Sequence, residues 1–452
     1  MKTTRDGFSS NLVVFFATLS SAVGLGNIWK FPYMIGKNGG AAFILIYLVC
    51  VVGVGLPVML SEFVIGRSSK KNVMGAIKDA TPKKAFKLYG VFGILAGFAI
   101  LFFYTTVAGW IYSYILKALL GVFKHTSAGE TSAIFNQTTL GPIEPVLWQI
   151  LVIAVASSVL ILGVRTGIEK LARFGMPILL VLLSICAIRG LFLEGGEEAL
   201  KFLFLPNFTD ISIIHVVMTA LGLAFFKLSL GMGTMLTYAS YFPDDNNLFS
   251  NAVKVVIGDT FVSLLAGIAI FPSVFTFGIE PGAGPALLFE TIPLIFSQLP
   301  GGNILMVLFF CLTGLAATMA MISIFEVPVA YLSEETKISR TMSVILTATI
   351  VIVVGSVTTL SFNSEALFGS VRLFGMTLFD FFDHVSSNIL MPVGGLLVAI
   401  LGGYILKKDI IKREMVEKNG VSIGVMNLFY FILRYITPGL LVIVFLSALK
   451  II

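Results

Sequence analysis

Charge is scarce in this chain. Charged residues make up 12% of its 452 residues, about half the roughly 25% usual in soluble domains. Cysteine is nearly absent: Cys50, Cys186 and Cys311 all lie inside apolar runs, so no disulfide framework is indicated. His125, His215 and His384 are scattered, and no His/Cys/carboxylate set has metal-ligand spacing, which argues against a membrane metalloenzyme. No Gly-Lys-Ser/Thr phosphate loop occurs, which argues against ATP-driven chemistry. No short hydrophobic region with a small-residue cleavage site precedes the first long apolar run, so no removable signal peptide is expected. What fills the chain instead is apolar: 57% hydrophobic residues and 40 phenylalanines. Water cannot solvate such a surface, so an ordinary soluble enzyme is excluded. A disordered chain is excluded because apolar burial would be ample. The net charge of +6 is too diffuse to signal nucleic acid.

Eleven apolar stretches are long enough to cross about 30 Å of hydrocarbon, which takes roughly 20 helical residues. They are expected at 11–36, 40–66, 88–123, 146–164, 168–191, 212–242, 248–276, 303–333, 340–361, 375–405 and 427–449. Their length and lack of alternation select helices over barrel strands. Basic residues cluster in the loops after the second and fourth stretches and before the last, on the same side as Lys2 and Arg5. The opposite loops carry Glu130, Glu144, Glu194, Glu197 and Glu198. The positive-inside rule then puts the N-terminus in the cytoplasm and, after eleven crossings, the C-terminus outside a bacterial-type inner membrane. The apolar stretch 282–298 is too short and Pro-rich to span, and is expected as a helical hairpin over the outer face.

The first stretch contains Ser21-Ala22-Val23-Gly24-Leu25-Gly26-Asn27 and the sixth Ser229-Leu230-Gly231-Met232-Gly233. One glycine-rich interruption serves close helix packing as readily as function. Two, each mid-membrane and each in the first helix of a five-helix set, point to an inverted-repeat transporter with its site at the broken helices. Unwound backbone at that depth is tolerated only where it lines a cavity.

Gly24-Leu25-Gly26-Asn27-Ile28-Trp29-Lys30-Phe31-Pro32 is the strongest of several motifs. Others are Lys37-Asn38-Gly39-Gly40, Ser61-Glu62, Gly66-Arg67, Thr237-Tyr238-Ala239-Ser240-Tyr241 and Arg434-Tyr435-Ile436-Thr437-Pro438. On these the chain resembles the neurotransmitter:sodium symporter family, in its bacterial amino-acid branch, over nearly its whole length. The resemblance implies an all-α membrane protein, a single transport domain (1–452) with two inverted five-helix repeats (1–191 and 212–405) and an eleventh helix (427–449). It implies alternating access around one amino-acid site. Ala22, Gly24, Leu25 and Gly26 would offer backbone groups to the substrate carboxylate and amine, with helix-end amides favouring the anion. Tyr104 matches the family tyrosine that binds the carboxylate, and Ile100 lies one turn before it on the same face. Phe226 matches the aromatic lid, and Ser229, Met232 and Ile324 would line a roomy apolar pocket for a hydrophobic or aromatic side chain. Lys30 and Asp383 match an outer gate that elsewhere uses arginine; lysine keeps the charge but loses bidentate geometry. Arg5 with Glu334, beside Ser240 and Tyr241, matches an inner gate. Read without the family, Arg5 is a topology charge and Tyr104 a core aromatic.

The chain departs from the family at both sodium sites. The first uses Ala22, Asn27, a hydroxyl in the sixth helix and an asparagine in the seventh; here the last two positions hold Lys227 and Asp259. The second uses carbonyls matching Ser20, Val23 and Ala316 plus two hydroxyls, whose positions hold Met319 and Ala320. A one-residue slip would let Thr318 supply one. A lysine in mid-membrane costs about 2.5–3.5 kcal/mol on insertion scales and is functional by default, unless it snorkels. Asp259 is its natural partner, so the ammonium is read as a stand-in for the first sodium. Ser263 falls where chloride-dependent members have a serine, and with Lys227 and Asp259 present no need for chloride is expected. A tethered ammonium cannot leave with substrate, which leaves proton coupling, exchange, facilitated diffusion or residual use of the second sodium site. No other cofactor is indicated. A non-transporting amino-acid sensor on the same scaffold is the rival reading, and either could be a monomer or a homodimer in the bilayer.

Overall fold

The computed structural model describes residues 6–209, 211–278, 287–363, 365–418 and 420–448. Among them, nine helices are long and apolar enough to cross a membrane unbroken: Ala41–Ser69, Lys84–Leu119, Glu144–Ile161, Val164–Leu191, Leu248–Thr276, Gly302–Glu335, Arg340–Thr359, Leu378–Ile405 and Ile423–Leu446. A tenth span is bent by 56° between Asn11–Ala22 and Gly26–Lys37. Ile213–Lys227 resumes as Thr234–Ala239 after an irregular stretch, which completes eleven crossings in the expected order. They are called here the first to the eleventh span in chain order.

Polar side chains set where several spans begin. Ser10, Asn247, Ser339, Thr377 and Ser422 accept hydrogen bonds from first-turn amides of the first, seventh, ninth, tenth and eleventh spans. Each satisfies a donor that the helix itself leaves open. The third and eighth spans pack along one another, with the bent first span and the second half of the sixth against the eighth and second. These inner spans are buried through most of their length. Leucines, isoleucines and valines of the outer ones, such as Ile214, Val353 and Leu428, face outward, where hydrocarbon is their solvent.

Two features differ from the sequence reading, and a third is described only in part. The tenth span begins at Leu378, because residues 372–377 form a two-stranded ribbon pairing Arg372 with Thr377 and Leu373 with Met376. Phe374 (φ 52°) and Gly375 (φ 79°) supply the positive-φ turn that a two-residue hairpin requires. The expected hairpin at 282–298 is described only from 287, where Leu287–Gln298 forms one helical arm. Its other half lies outside the described residues. The arm rests on the helix Ala128–Leu140, and Tyr114 donates a hydrogen bond to the Phe289 carbonyl at 3.0 Å. Helices at Val73–Ala80, Ala128–Leu140 and Gly196–Phe204 were not expected at all, since they are too short to register as spans. The capping box of Ser127 and Glu130 marks the second of them.

Candidate functional site

The break in the first span starts at Val23, which leaves helical geometry for an extended one (φ −81°, ψ 108°). Asn27 closes it: its Oδ1 accepts from the Gly24 amide at 3.1 Å. In the sixth span Ser229, Gly231 and Gly233 all have positive φ (52°, 77° and 77°). Gly231 is required twice over, because a Cβ there would lie 2.2 Å from the Met391 carbonyl. The Glu62 carboxylate, buried in the second span, bridges this break by accepting from the Gly231 amide at 2.8 Å and the Leu236 amide at 3.2 Å. It thereby supplies acceptors to amides that the interrupted helix leaves without partners.

Between the two breaks lies a small cavity of about 20 Å³. All ten residues expected at a substrate site line it: Ala22, Gly24, Leu25, Gly26, Ile100, Tyr104, Phe226, Ser229, Met232 and Ile324. Ser21, Lys227 and Ala320 line it as well. The Tyr104 hydroxyl accepts from the Leu25 amide at 3.3 Å, and Ser229 Oγ donates to the Ser21 carbonyl at 2.9 Å. Phe226 also lines a second cavity of about 230 Å³ with Trp29, Lys30, Tyr33, Phe103 and Asp383, and with Leu25 and Tyr104 it stands between the two. Lys30 Nζ stands 4.2 Å over that ring and 3.5 Å from Asp383 Oδ1. The expected outer pair is therefore in contact, above the expected lid.

The Lys227 ammonium lies 3.0 Å from Asp259 Oδ2 and 3.0 Å from the Tyr47 hydroxyl, with both charged side chains at 0% exposure. It also sits 4.1 Å over the Phe31 ring, a cation–π contact that is worth most where water is excluded. It does not snorkel. Asn27 Nδ2 donates to Asp259 Oδ1 at 2.6 Å and to Ser263 Oγ at 2.9 Å. Asn27, with its oxygen on Gly24 and its nitrogen on Asp259, is thus oriented by protein groups, an assignment that follows from the network.

At the second family ion site, Thr318 Oγ1 donates to the Gly314 carbonyl at 2.7 Å and pairs with the Tyr112 hydroxyl at 2.8 Å. Met319 packs its sulfur against Gly175, where a Cβ would lie 2.8 Å from Sδ. The Ala320 methyl meets Gly24 in the same way, at 2.7 Å. Ser20 spends its hydroxyl on the Ala17 carbonyl. Carbonyls of Ser20, Val23 and Ala316 would be the remaining oxygen donors.

On the face of the basic loops several polar contacts join the spans. Arg5 lies outside the described residues. Glu334 accepts from the Asn72 amide at 2.8 Å and from its side chain at 3.0 Å. Tyr241 donates to Glu326 Oε1 at 2.6 Å, and Arg340 grips the same carboxylate through two bonds of 2.9 and 2.7 Å. The segment before the first span joins in: Phe8 donates its amide to the Tyr241 carbonyl at 3.0 Å, and Ser9 donates its own to Glu169 at 3.0 Å. The sequence reading missed Glu326, Arg340, Glu62 as a bridge, and Tyr47. Glu326 and Glu62 did carry a signal, since each is a lone carboxylate inside an apolar stretch. Tyr47 carried none.

Two interrupted spans around a small chamber, with polar contacts on either side, are the architecture of a secondary transporter. The sodium:neurotransmitter symporter family profile matches residues 5–137 and 130–452. An uncharacterized sodium-dependent transporter of Bacillus subtilis, YhdH, is 36% identical over 98% of both chains. One from Methanocaldococcus jannaschii, MJ1319, is 30% identical over 93% of this chain and 86% of its own. The crystal structure of MhsT in complex with L-phenylalanine superposes with a TM-score of 0.90 at 37% identity, covering 98% of this chain and all of that one. The chain belongs to the sodium:neurotransmitter symporter family. It is a multi-pass membrane transporter, not an enzyme.

Proposed function

We propose that this transporter carries a hydrophobic or aromatic amino acid by alternating access, with the Lys227–Asp259 pair standing where relatives hold their first sodium ion. The observation that carries the reading is the pair itself: an ammonium and a carboxylate 3.0 Å apart, wholly buried beside the cavity. A buried charge is tolerable only when compensated, and here each compensates the other without an ion. The apolar lining of Ile100, Met232, Ala320 and Ile324 suits an apolar side chain, and the L-phenylalanine bound to MhsT supports that class. Backbone amides at the two breaks and the Tyr104 hydroxyl would take the carboxylate. We read residues 1–191 and 212–405 as the two repeats. From the loop charges we read the basic face as cytoplasmic and the Lys30–Asp383 face as external.

In this reading sodium is not required. A second reading, symport through the second ion site, is favoured by the relatives' names as sodium-dependent transporters. Against it stand the thioether and methyl of Met319 and Ala320, which offer no hard oxygen. Uptake of labelled phenylalanine into proteoliposomes, with sodium and pH gradients imposed separately, decides between them. The proposal expects uptake in choline equal to that in sodium. Uptake abolished without sodium overturns it. Substrate binding with no uptake under any gradient indicates a sensor.

A further inference from the structure

The eleventh span carries Arg434, a guanidinium inside an apolar stretch and away from the transport chamber. Three tyrosines surround it: its Cζ lies 4.7 Å from the Tyr404 ring centre, 5.6 Å from that of Tyr435 and 6.0 Å from that of Tyr430. Tyr404 also donates its hydroxyl to the Arg434 carbonyl at 2.6 Å, tying the tenth span to the eleventh. Among the described residues Arg434 makes no ion pair, and its Nε is buried without a hydrogen-bond partner. Its terminal nitrogens are not in that state, so they reach accessible surface. The rings cover the faces of the cation and leave its donor edge open. An intramembrane charge of this kind calls for a partner.

The neighbourhood says what the partner is. Gly403, level with Arg434, lies just before the end of the tenth span at Ile405, while Arg434 itself sits midway along the eleventh span Ile423–Leu446; Lys407 and Lys408 follow directly on the tenth span's basic-face end. Below it Lys408 Nζ stands 5.6 Å over the same Tyr430 ring. Other cations of the adjoining linker are taken: Lys412 pairs with Glu417, and Arg413 and Lys418 with Glu414. Lys407 and Lys408 are exposed and outside these pairs, and Asp409 is the one carboxylate beside them. Tyr404, Leu428, Phe431 and Tyr435 are exposed around the patch. This is apolar and aromatic wall for an acyl chain with cations at the headgroup level. A second copy of the chain would bring an identical cationic patch against this one across a two-fold axis, which like charges oppose.

We propose that Arg434, Lys407 and Lys408, with the tyrosine cage, form a binding site for the headgroup phosphate of an anionic phospholipid. The orientation proposed above decides only that the lipid comes from the cytoplasmic leaflet, where anionic lipid attracts basic clusters. The lipid binding itself is independent of transport. The test is spin-labelled phosphatidylglycerol against spin-labelled phosphatidylcholine around the full chain in phosphatidylcholine nanodiscs. The expected result is a several-fold preference for phosphatidylglycerol that falls toward unity in Arg434→Gln and in the double variant Lys407→Gln/Lys408→Gln. The second variant changes only exposed linker residues, so it decides if the first does not fold. No preference in the native chain, or one that survives in both variants, overturns the site. So does loss of the preference on adding inorganic phosphate at constant ionic strength, which would mark a free-anion site. Disulfide dimers of Tyr435→Cys in pure phosphatidylcholine would mark the patch as a contact between copies, and would also overturn it.

Discussion

At the scale of single residues, the Lys227–Asp259 pair is the sharpest departure from the family. Lys227→Thr leaves the Asp259 carboxylate buried with the Tyr47 hydroxyl and the Asn27 amide but no cation. Removing one partner of a buried pair costs about 3–5 kcal/mol. The expected outcome is at least a tenfold loss of substrate affinity in sodium-free buffer, measured by scintillation proximity. Lys227→Thr/Asp259→Asn restores the residue types of the family site, and its binding is expected to become sodium-dependent. Unchanged sodium-free binding by Lys227→Thr would remove the surrogate role. The pair was legible because both residues break an apolar pattern. Their shared partner Tyr47 was not, since a tyrosine in an apolar run satisfies the same pattern whether or not its hydroxyl meets a charge.

At the scale of elements, the break in the first span is held by close packing. Gly24→Ala would drive a methyl to 2.7 Å from Ala320 Cβ and 2.9 Å from the Tyr104 hydroxyl. The variant should fold yet lose substrate binding in an equilibrium assay, and Ala320→Gly should recover part of it by relieving one of the two clashes. On the basic face, Arg67 and Glu414 pair at 2.8 Å with both side chains at 0% exposure, joining the second span to the linker before the eleventh. Burial pushes the Glu414 carboxyl up, but Lys418 and Arg67 outweigh it and hold it below its ordinary 4.5. A depressed carboxylate contributes its stability above the ordinary value and loses it as pH falls through the depressed one. Glu414→Gln is therefore expected to lower the thermal midpoint at neutral pH, by an amount equivalent to about 3 kcal/mol. The gap between variant and native should close below pH 4.5, readable by differential scanning fluorimetry. The broken spans could be read from two glycine-rich interruptions at corresponding places in the first and sixth stretches. The short helices and the ribbon could not, because a single turn with positive φ outranks the apolar pattern that placed 375–377 in the tenth span.

For the molecule as a whole, charge bookkeeping separates the remaining mechanisms. If Lys227 and Asp259 stay ionised and the guest is a zwitterion, no net charge crosses with it. Uptake should then be indifferent to a potassium diffusion potential set with valinomycin. Acceleration by an inside-negative potential would mean that a proton or sodium rides along. Acceleration by amino acid preloaded inside would mark an exchanger. The overall architecture was legible because each span announces itself by length. The barrier built from Glu326, Arg340 and Tyr241 was not, since it joins three spans whose register only packing decides.

The two barriers are unequal, and that inequality bears on kinetics. Lys30 and Asp383 keep 23% and 39% of their side-chain surface in contact with solvent, whereas the Glu326 side chain keeps none. Dissolved salt weakens the first more, because both of its charges are wet, whereas in the second only Arg340, 27% exposed, meets solvent. Brackish or briny surroundings would thus loosen the Lys30–Asp383 latch more than the Glu326–Arg340 one, so added salt should shift the molecule toward opening on the lysine side.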